Sequence, residues 1–161
     1  MVTTTTLEAE LRRLAGAVPD PELPVVTLEE LGVLRRVEIL GPGRVEVELT
    51  PTYTGCPAIE SMSSDIERVL HDHGIPDVSV RTVLSPAWST DDISDEGRRK
   101  LAEFGIAPPR PTGPVALALS IRCPHCGSTD TELLSRFSST ACKALRRCAT
   151  CHEPFDHFKE L

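Results

Sequence analysis

The sequence has few aromatic residues, no long apolar segment and a deficit of positive charge. Aromatic side chains make up 4% of 161 residues, so a hydrophobic core has to be built from aliphatic side chains. No apolar run approaches the roughly 18 residues that a membrane-spanning helix needs. Lys and Arg number 17 against 24 Asp and Glu, and the net charge of −7 argues against non-specific binding to nucleic acid or to an anionic membrane.

The N-terminal residues lack the basic and apolar regions of a signal peptide, which predicts a cytoplasmic location. In that reducing compartment cysteines serve as metal ligands or reactive thiols more often than they form disulfides. The chain has six cysteines, and Cys56 is the only one in the first two-thirds of the sequence. We therefore expect the cysteines to carry the chemistry.

The first part of the chain begins with a helical pattern followed by a β-hairpin pattern. Thr5 and Glu8 fit a capping box, and the apolar spacing predicts a helix that ends near Gly16. Alternation over residues 33–39 and 45–49, on either side of a Gly-Pro-Gly turn, predicts two antiparallel strands. One face of this hairpin should be buried and the other solvated.

A second helix and a third strand complete the predicted domain. Apolar residues recur at helical spacing over 59–70, and a strand pattern follows over 78–84. A further short helix is predicted over 95–104, with Trp88 packing it back onto the sheet. These elements predict an α+β fold for residues 1–106, with an αββαβ-type order and helices on one face of a small sheet.

A proline-rich linker over residues 107–114 separates this domain from a C-terminal segment, 115–161. Alternation predicts a strand over 115–121, a second strand over 131–137 followed by a loop, and a last strand that contains Phe155. The C-terminal segment should therefore be rich in β-structure.

Two Cys-x-x-Cys pairs, Cys123 with Cys126 and Cys148 with Cys151, flank the predicted hairpin in the manner of a zinc ribbon. Two such pairs can complete a tetrahedron of thiolates around one zinc ion, which would supply much of the folding energy of so small a segment. A pair of redox dithiols is the weaker alternative. Cys142 is an additional thiol that packs as a small apolar residue, replaces a ligand or serves a separate role.

Cys56 follows a predicted strand and precedes a predicted helix, where it could be a nucleophile, a metal ligand or a core residue. A cysteine nucleophile needs a base, but His71 and His73 lie at the far end of the following helix, about 20 Å away. Asp20 and Glu22 lie on a proline-rich loop that is either a rigid, solvated turn or a source of ligands beside Cys56. The second option requires that the two loops converge.

Several stretches resemble known families. Residues 20–26 with the following Leu-Gly, and the cysteine loop at 50–57, are similar to the iron–sulfur assembly domain family that includes SufT. The tail, in particular residues 139–145 and 153–159, resembles the PaaD family of accessory subunits of the bacterial phenylacetyl-CoA epoxidase system. The resemblance covers nearly the whole chain.

The resemblance implies a non-catalytic accessory or maturation protein whose partners are the oxygenase and reductase subunits of that epoxidase. It implies that Cys56 is a transfer thiol, with Asp20 and Glu22 beside it, for a transient iron or iron–sulfur cluster, and that the Cys-x-x-Cys pairs hold a structural zinc. The alternative is a docking subunit that transfers no metal. A nucleic-acid-binding ribbon is disfavoured by the acidic charge, and a thiol enzyme by the missing base.

Overall fold

Four α-helices, one 3-10 helix (Thr90–Asp92) and seven strands are present in the described part of the chain, residues 3–53, 55–110 and 120–160 of a computed structural model. Contacts divide the chain into two units, residues 1–88 and 89–161. Within the described residues, no helix is long and apolar enough to cross a membrane. The helices are α1 (Thr4–Gly16), α2 (Leu28–Leu31), α3 (Ala58–Asp72) and α4 (Asp95–Glu103); the strands are β1 (Leu34–Gly41), β2 (Arg44–Leu49), β3 (Asp77–Thr82), β4 (Ile106–Ala107), β5 (Thr131–Ser135), β6 (Lys143–Cys148) and β7 (Pro154–Phe158).

The division between the units lies earlier than the boundary that we expected at residue 106. Helix α4 and strand β4 belong to the second unit, where β4 pairs in parallel with β7. The first residue of the expected linker, Ala107, is therefore part of a strand. The rest of that linker from residue 111, and the predicted strand up to residue 119, lie outside the described residues.

Helix α1 begins two residues earlier than its sequence suggests. Its N-cap is Thr3, whose hydroxyl accepts a hydrogen bond from the backbone N–H of Thr6, so the predicted cap at Thr5 is wrong. Four consecutive threonines offer the same capping chemistry, and the apolar face decides among them. That face buries Leu11 and Ala15.

Helix α2 shows the capping signals that its sequence contains. The Thr27 side chain accepts from the Glu30 N–H, and the Glu30 carboxylate accepts from the Thr27 N–H. Gly32 ends the helix with a φ of 76°, a left-handed conformation that glycine adopts without steric cost.

The first sheet has the strand order β1-β2-β3. Strands β1 and β2 form the predicted antiparallel hairpin, whereas β3 runs parallel to β2. A parallel neighbour requires a crossover connection, and α3 provides it. Apolar residues of β2 and α3 form the core beneath the sheet: Val45, Val47, Leu49, Met62, Ile66 and Leu70. This topology places the turn between β2 and α3 at one end of the sheet.

Trp88 belongs to the first unit. It is buried, and its indole Nε1 donates a hydrogen bond to the carbonyl oxygen of Leu31 at 2.9 Å. This contact attaches the end of the first unit to the last turn of α2.

The second sheet has the strand order β4-β7-β6-β5. Strand β6 pairs in antiparallel orientation with β5 on one side and with β7 on the other. We had predicted a loop for these residues. One buried apolar cluster of this unit includes two cysteines: Ala107, Ile121, Cys123, Cys148 and Phe155.

Candidate metal-handling sites

Four cysteine sulfurs converge in the second unit. The thiols of Cys123, Cys126, Cys148 and Cys151 all lie within 4.8 Å of one another. The Sγ atoms of Cys123 and Cys151 are 3.8 Å apart, and those of Cys126 and Cys148 are 3.5 Å apart. A tetrahedron with zinc–sulfur bonds of about 2.3 Å has edges of about 3.8 Å. The four thiols therefore fit a zinc ion.

The two Cys-x-x-Cys turns have the same backbone geometry. The N–H of Cys123 donates to the carbonyl of Ser128 at 2.8 Å, and the N–H of Cys148 donates to the carbonyl of Glu153 at 3.0 Å. The residue after the second cysteine of each turn has a positive φ, 77° at Gly127 and 64° at His152. This conformation folds each turn back on itself.

Two backbone N–H groups donate hydrogen bonds to the sulfur of Cys148. The N–H groups of Cys151 and Thr150 donate to the sulfur of Cys148 and lower the pKa of that thiol to about 6, although burial opposes the change. A thiolate is the form that binds zinc, so these donors favour the binding form of Cys148, whereas burial and the neighbouring thiols raise the pKa of Cys151 to about 12. When bound, zinc would cross-link the two turns beside the buried cluster that contains Cys123 and Cys148.

The fifth thiol of the second unit, Cys142, does not belong to the four-cysteine group. It is buried, and its Sγ lies 3.1 Å from the hydroxyl oxygen of Thr140. This environment is that of a small packed side chain with a weak polar contact.

Cys56 lies in the turn between β2 and α3, as the sequence predicts, with only 6% of its surface exposed. Its sulfur accepts a hydrogen bond from the backbone N–H of Ala58, the first residue of α3. The Tyr53 side chain also hydrogen bonds to this sulfur. The thiol therefore occupies the N-terminal end of the helix.

The start of this turn is fixed to β1. Thr50 is buried, its N–H donates to the Val33 carbonyl at 2.9 Å, and its hydroxyl accepts from Arg35 Nε at 3.0 Å. Later in the same turn, Gly55 has a φ of 80°, which is a left-handed backbone conformation. Thr54 lies outside the described residues.

The proline-rich loop that carries Asp20 and Glu22 comes close enough to Cys56 for the two carboxylates to raise the pKa of its thiol. Asp20 is buried, and its Oδ1 accepts hydrogen bonds from the N–H groups of Glu22, at 2.8 Å, and Leu23, at 2.7 Å. These bonds hold the loop in a tight turn of the Asx type. The three side chains do not, however, form a ready ligand group like that of the four cysteines.

The electrostatics of Cys56 favour the neutral thiol. Burial raises its pKa most, the Ala58 N–H opposes this, and the charges of Glu22 and Asp20 raise the pKa further. Two carboxylates beside a thiol disfavour a free thiolate, but they attract a cation that the thiolate could bind. The arrangement is thus suited to a metal ion better than to a nucleophile.

The two histidines of the first unit are placed far from Cys56. His71 lies in the last turn of α3 and His73 caps its C-terminus, so both are exposed at the opposite end of a 15-residue helix. At about 1.5 Å per residue, this helix separates them from the thiol by roughly 20 Å. Within the described part of the first unit, Cys56 therefore has no imidazole base.

Tyr53 is the contact residue that our sequence reasoning missed. It is the only tyrosine in a chain with 4% aromatic residues, and it lies three positions before Cys56. The scarcity of aromatic residues and the position of Tyr53 in the cysteine loop are the sequence features that could have identified it.

Two family models match the chain, and together they follow its two parts. Residues 8–85 match the family described as iron–sulfur cluster assembly protein. Residues 107–159 match the PaaD zinc beta ribbon domain. The four cysteines lie in the second match and Cys56 in the first.

A protein of Escherichia coli (strain K12), named as one of the subunits of a 1,2-phenylacetyl-CoA epoxidase, is 46% identical over 151 residues, which is 93% of this chain and 91% of that protein. The chain belongs to this family of PaaD-type subunits. A Porphyromonas gingivalis protein named as an Fe-S protein maturation auxiliary factor is 30% identical over 95 residues. This aligned region is 58% of the present chain and 90% of the Porphyromonas gingivalis protein.

A solved structure supports the fold of the first part. The crystal structure of a domain of unknown function, DUF59, from Bacillus anthracis superimposes with a TM-score of 0.57 at 28% identity. The match covers 61% of this chain and 93% of that one. The mixed α+β fold that the sequence predicted is therefore confirmed.

Proposed function

We propose that this chain is an accessory subunit that helps to mature a metal centre of a phenylacetyl-CoA epoxidase. The observation that carries the proposal is the environment of Cys56, a buried thiol next to two carboxylates and, within the described part of the first unit, without a histidine base. The relatives named as an epoxidase subunit and as iron–sulfur maturation factors support the same role.

In this proposal iron, as the ion or within an iron–sulfur cluster, is the cargo. The thiol of Cys56 loses its proton when the cation binds, because the cation stabilises the thiolate that Asp20 and Glu22 otherwise disfavour. One thiolate does not complete the ligand set of a cluster. The cargo is therefore held until oxygenase or reductase subunits supply further ligands and accept it; these subunits are the proposed partners in the cytoplasm. The chain itself catalyses no reaction on the organic substrate.

The test is anaerobic cluster transfer to the reductase subunit, with wild type compared with Cys56→Ala. We expect transfer by the wild type and its loss in the variant, while both proteins keep one zinc ion. Cys142→Ala is the matched control, since it removes another buried thiol that lies outside the metal group. Equal transfer by wild type and Cys56→Ala would contradict the proposal.

A docking subunit that transfers no metal is the competing function, and the low exposure of Cys56 favours it over a reactive-thiol role. It predicts that Cys56→Ala leaves epoxidase activity in cells intact, whereas removal of a ribbon cysteine abolishes it. Loss of activity in both variants would exclude the docking-only role.

A further inference from the structure

Strand β3 forms an open edge of the first sheet. Among residues 3–53, 55–110 and 120–160, no strand pairs with its outer side. Its side chains are exposed at Asp77, Ser79 and Arg81, whereas Val78 and Val80 are half-buried. An edge with unpaired backbone groups is a template for another strand.

The backbone of β3 determines which of its groups face outward. The N–H of Asp77 donates to the Gly43 carbonyl at 3.0 Å, and the N–H of Val83 donates to the Leu49 carbonyl at 2.8 Å. Because backbone groups alternate along a strand, odd-numbered residues bond to β2 and even-numbered residues point to the open edge. The pairing of β2 with β3 has no register shift, so the outward groups are evenly spaced.

We propose that β3 pairs with β3 of a second copy of this chain. The two strands run antiparallel about a two-fold axis at Ser79, and a continuous six-stranded sheet results. In this register Val78 lies opposite the second copy's Val80, and both residues have outward backbone groups. Each such pair exchanges two backbone hydrogen bonds, and the valines form the cross-strand contacts that stabilise antiparallel pairs.

The charges of β3 select this arrangement. Antiparallel pairing about Ser79 places Asp77 opposite the second copy's Arg81, twice per dimer. A parallel, in-register pair would instead place Asp77 opposite Asp77 and Arg81 opposite Arg81, and like charges directly opposite are destabilising. A charged edge strand usually prevents association, but this one is complementary to itself.

The ion pairs within one chain extend into the proposed interface. Asp77 lies 3.5 Å from Arg44, and Arg81 pairs with Glu48 and lies 3.5 Å from Glu46. In the dimer these pairs join into a chain of alternating charges across the two-fold axis. The contribution is solvent-exposed, so we expect the association to weaken with added salt.

Sedimentation velocity over a concentration series up to about 1 mM, where even weak association is populated, tests the proposal. We expect a reversible dimer for the wild type. Asp77→Arg and Arg81→Asp each place like charges opposite one another at two positions, so each should weaken dimerisation about tenfold or more. Arg68→Asp is the control, because Arg68 is an exposed, ion-paired arginine on α3.

Mixing the two single variants is the decisive step. One carries two positive and the other two negative residues at the paired positions, so an equimolar mixture should form a heterodimer that neither variant forms with itself. Circular dichroism of each variant reports whether the sheet is intact. A wild type that stays monomeric would overturn the proposal, and so would a dimer that neither substitution weakens or variants that do not associate on mixing.

Discussion

The surroundings of His157 predict how strongly the free energy of unfolding depends on pH. The imidazole lies on β7, its side chain is 6% exposed, and Nε2 has no hydrogen-bond partner among the residues that the structure describes. Burial lowers its pKa to about 4 from an ordinary value of 6.5. The Glu160 carboxylate, 3.7 Å from Nε2, opposes the change, while the positive charges of Arg146, Arg110 and Lys159 add to it.

The consequence is a loss of stability in mild acid. Between pH 6.5 and pH 4 the unfolded chain binds a proton at this histidine that the folded chain does not bind. The free energy of unfolding therefore falls as the pH is lowered through that window. At pH 5 the two pKa values give a cost of about 2 kcal/mol relative to pH 7.

The variant His157→Gln cannot take up this proton, so it should lose less stability than the wild type between pH 7 and pH 5. Urea unfolding followed by NMR signals of the second unit measures the difference, and acid release of zinc affects both proteins alike. His71→Gln, an exposed position in the first unit, is the control. An NMR titration that finds an imidazole pKa near 6.5, or equal pH slopes for wild type and His157→Gln, would refute the reasoning.

Three further predictions concern the backbone, the Trp88 contact and the Cys56 thiol. His152→Gly should stabilise the zinc-loaded ribbon by about 1 kcal/mol, because a positive φ is costly for a residue with a Cβ. For the same reason Gly127→Ala should destabilise the ribbon by a similar amount. Thermal melts in which neither variant differs from the wild type would contradict this. Trp88→Phe removes the donor to the Leu31 carbonyl and should lower the free energy of unfolding of the first unit by about 1–2 kcal/mol; an unchanged urea midpoint would show that the bond adds nothing. Iodoacetamide should label Cys56 slowly at pH 7 and faster as the pH rises, because the thiol is buried and its pKa is raised; rapid labelling at pH 7, measured by mass spectrometry, would argue against the described environment.

Local signals predicted the parts of the fold that depend on neighbours in the sequence. The hairpin of β1 and β2 depends on a single tight turn. The ribbon cysteines were also recognisable, since metal chemistry fixes their spacing. Each of these signals is contained in a few consecutive residues.

Features that depend on distant residues were not predictable in this way. Strand β4 has two residues and exists because it pairs with Asp156 and His157, about fifty positions later, so its sequence reads as the start of a linker. The change in the boundary between the units follows from the same pairing. Likewise, nothing local distinguishes the buried His157 from an exposed histidine.

The candidate site was predictable only in part. The turn position of Cys56 follows from the strand and helix patterns around it. That the charges of Asp20 and Glu22 reach Cys56 depends on how two loops converge, about thirty-five positions apart in the chain. The effect of these carboxylates on the thiol, which favours a cation over a nucleophile, could not be obtained from spacing.

Metal analysis of anaerobically purified protein tests the central claim most directly. Wild type and Cys56→Ala are expressed and purified side by side without oxygen, and zinc and iron are counted per chain. The account predicts one zinc in both proteins, held by the four ribbon cysteines, and iron in the wild type alone. Equal iron in the two proteins, or zinc that is lost with Cys56, would contradict it.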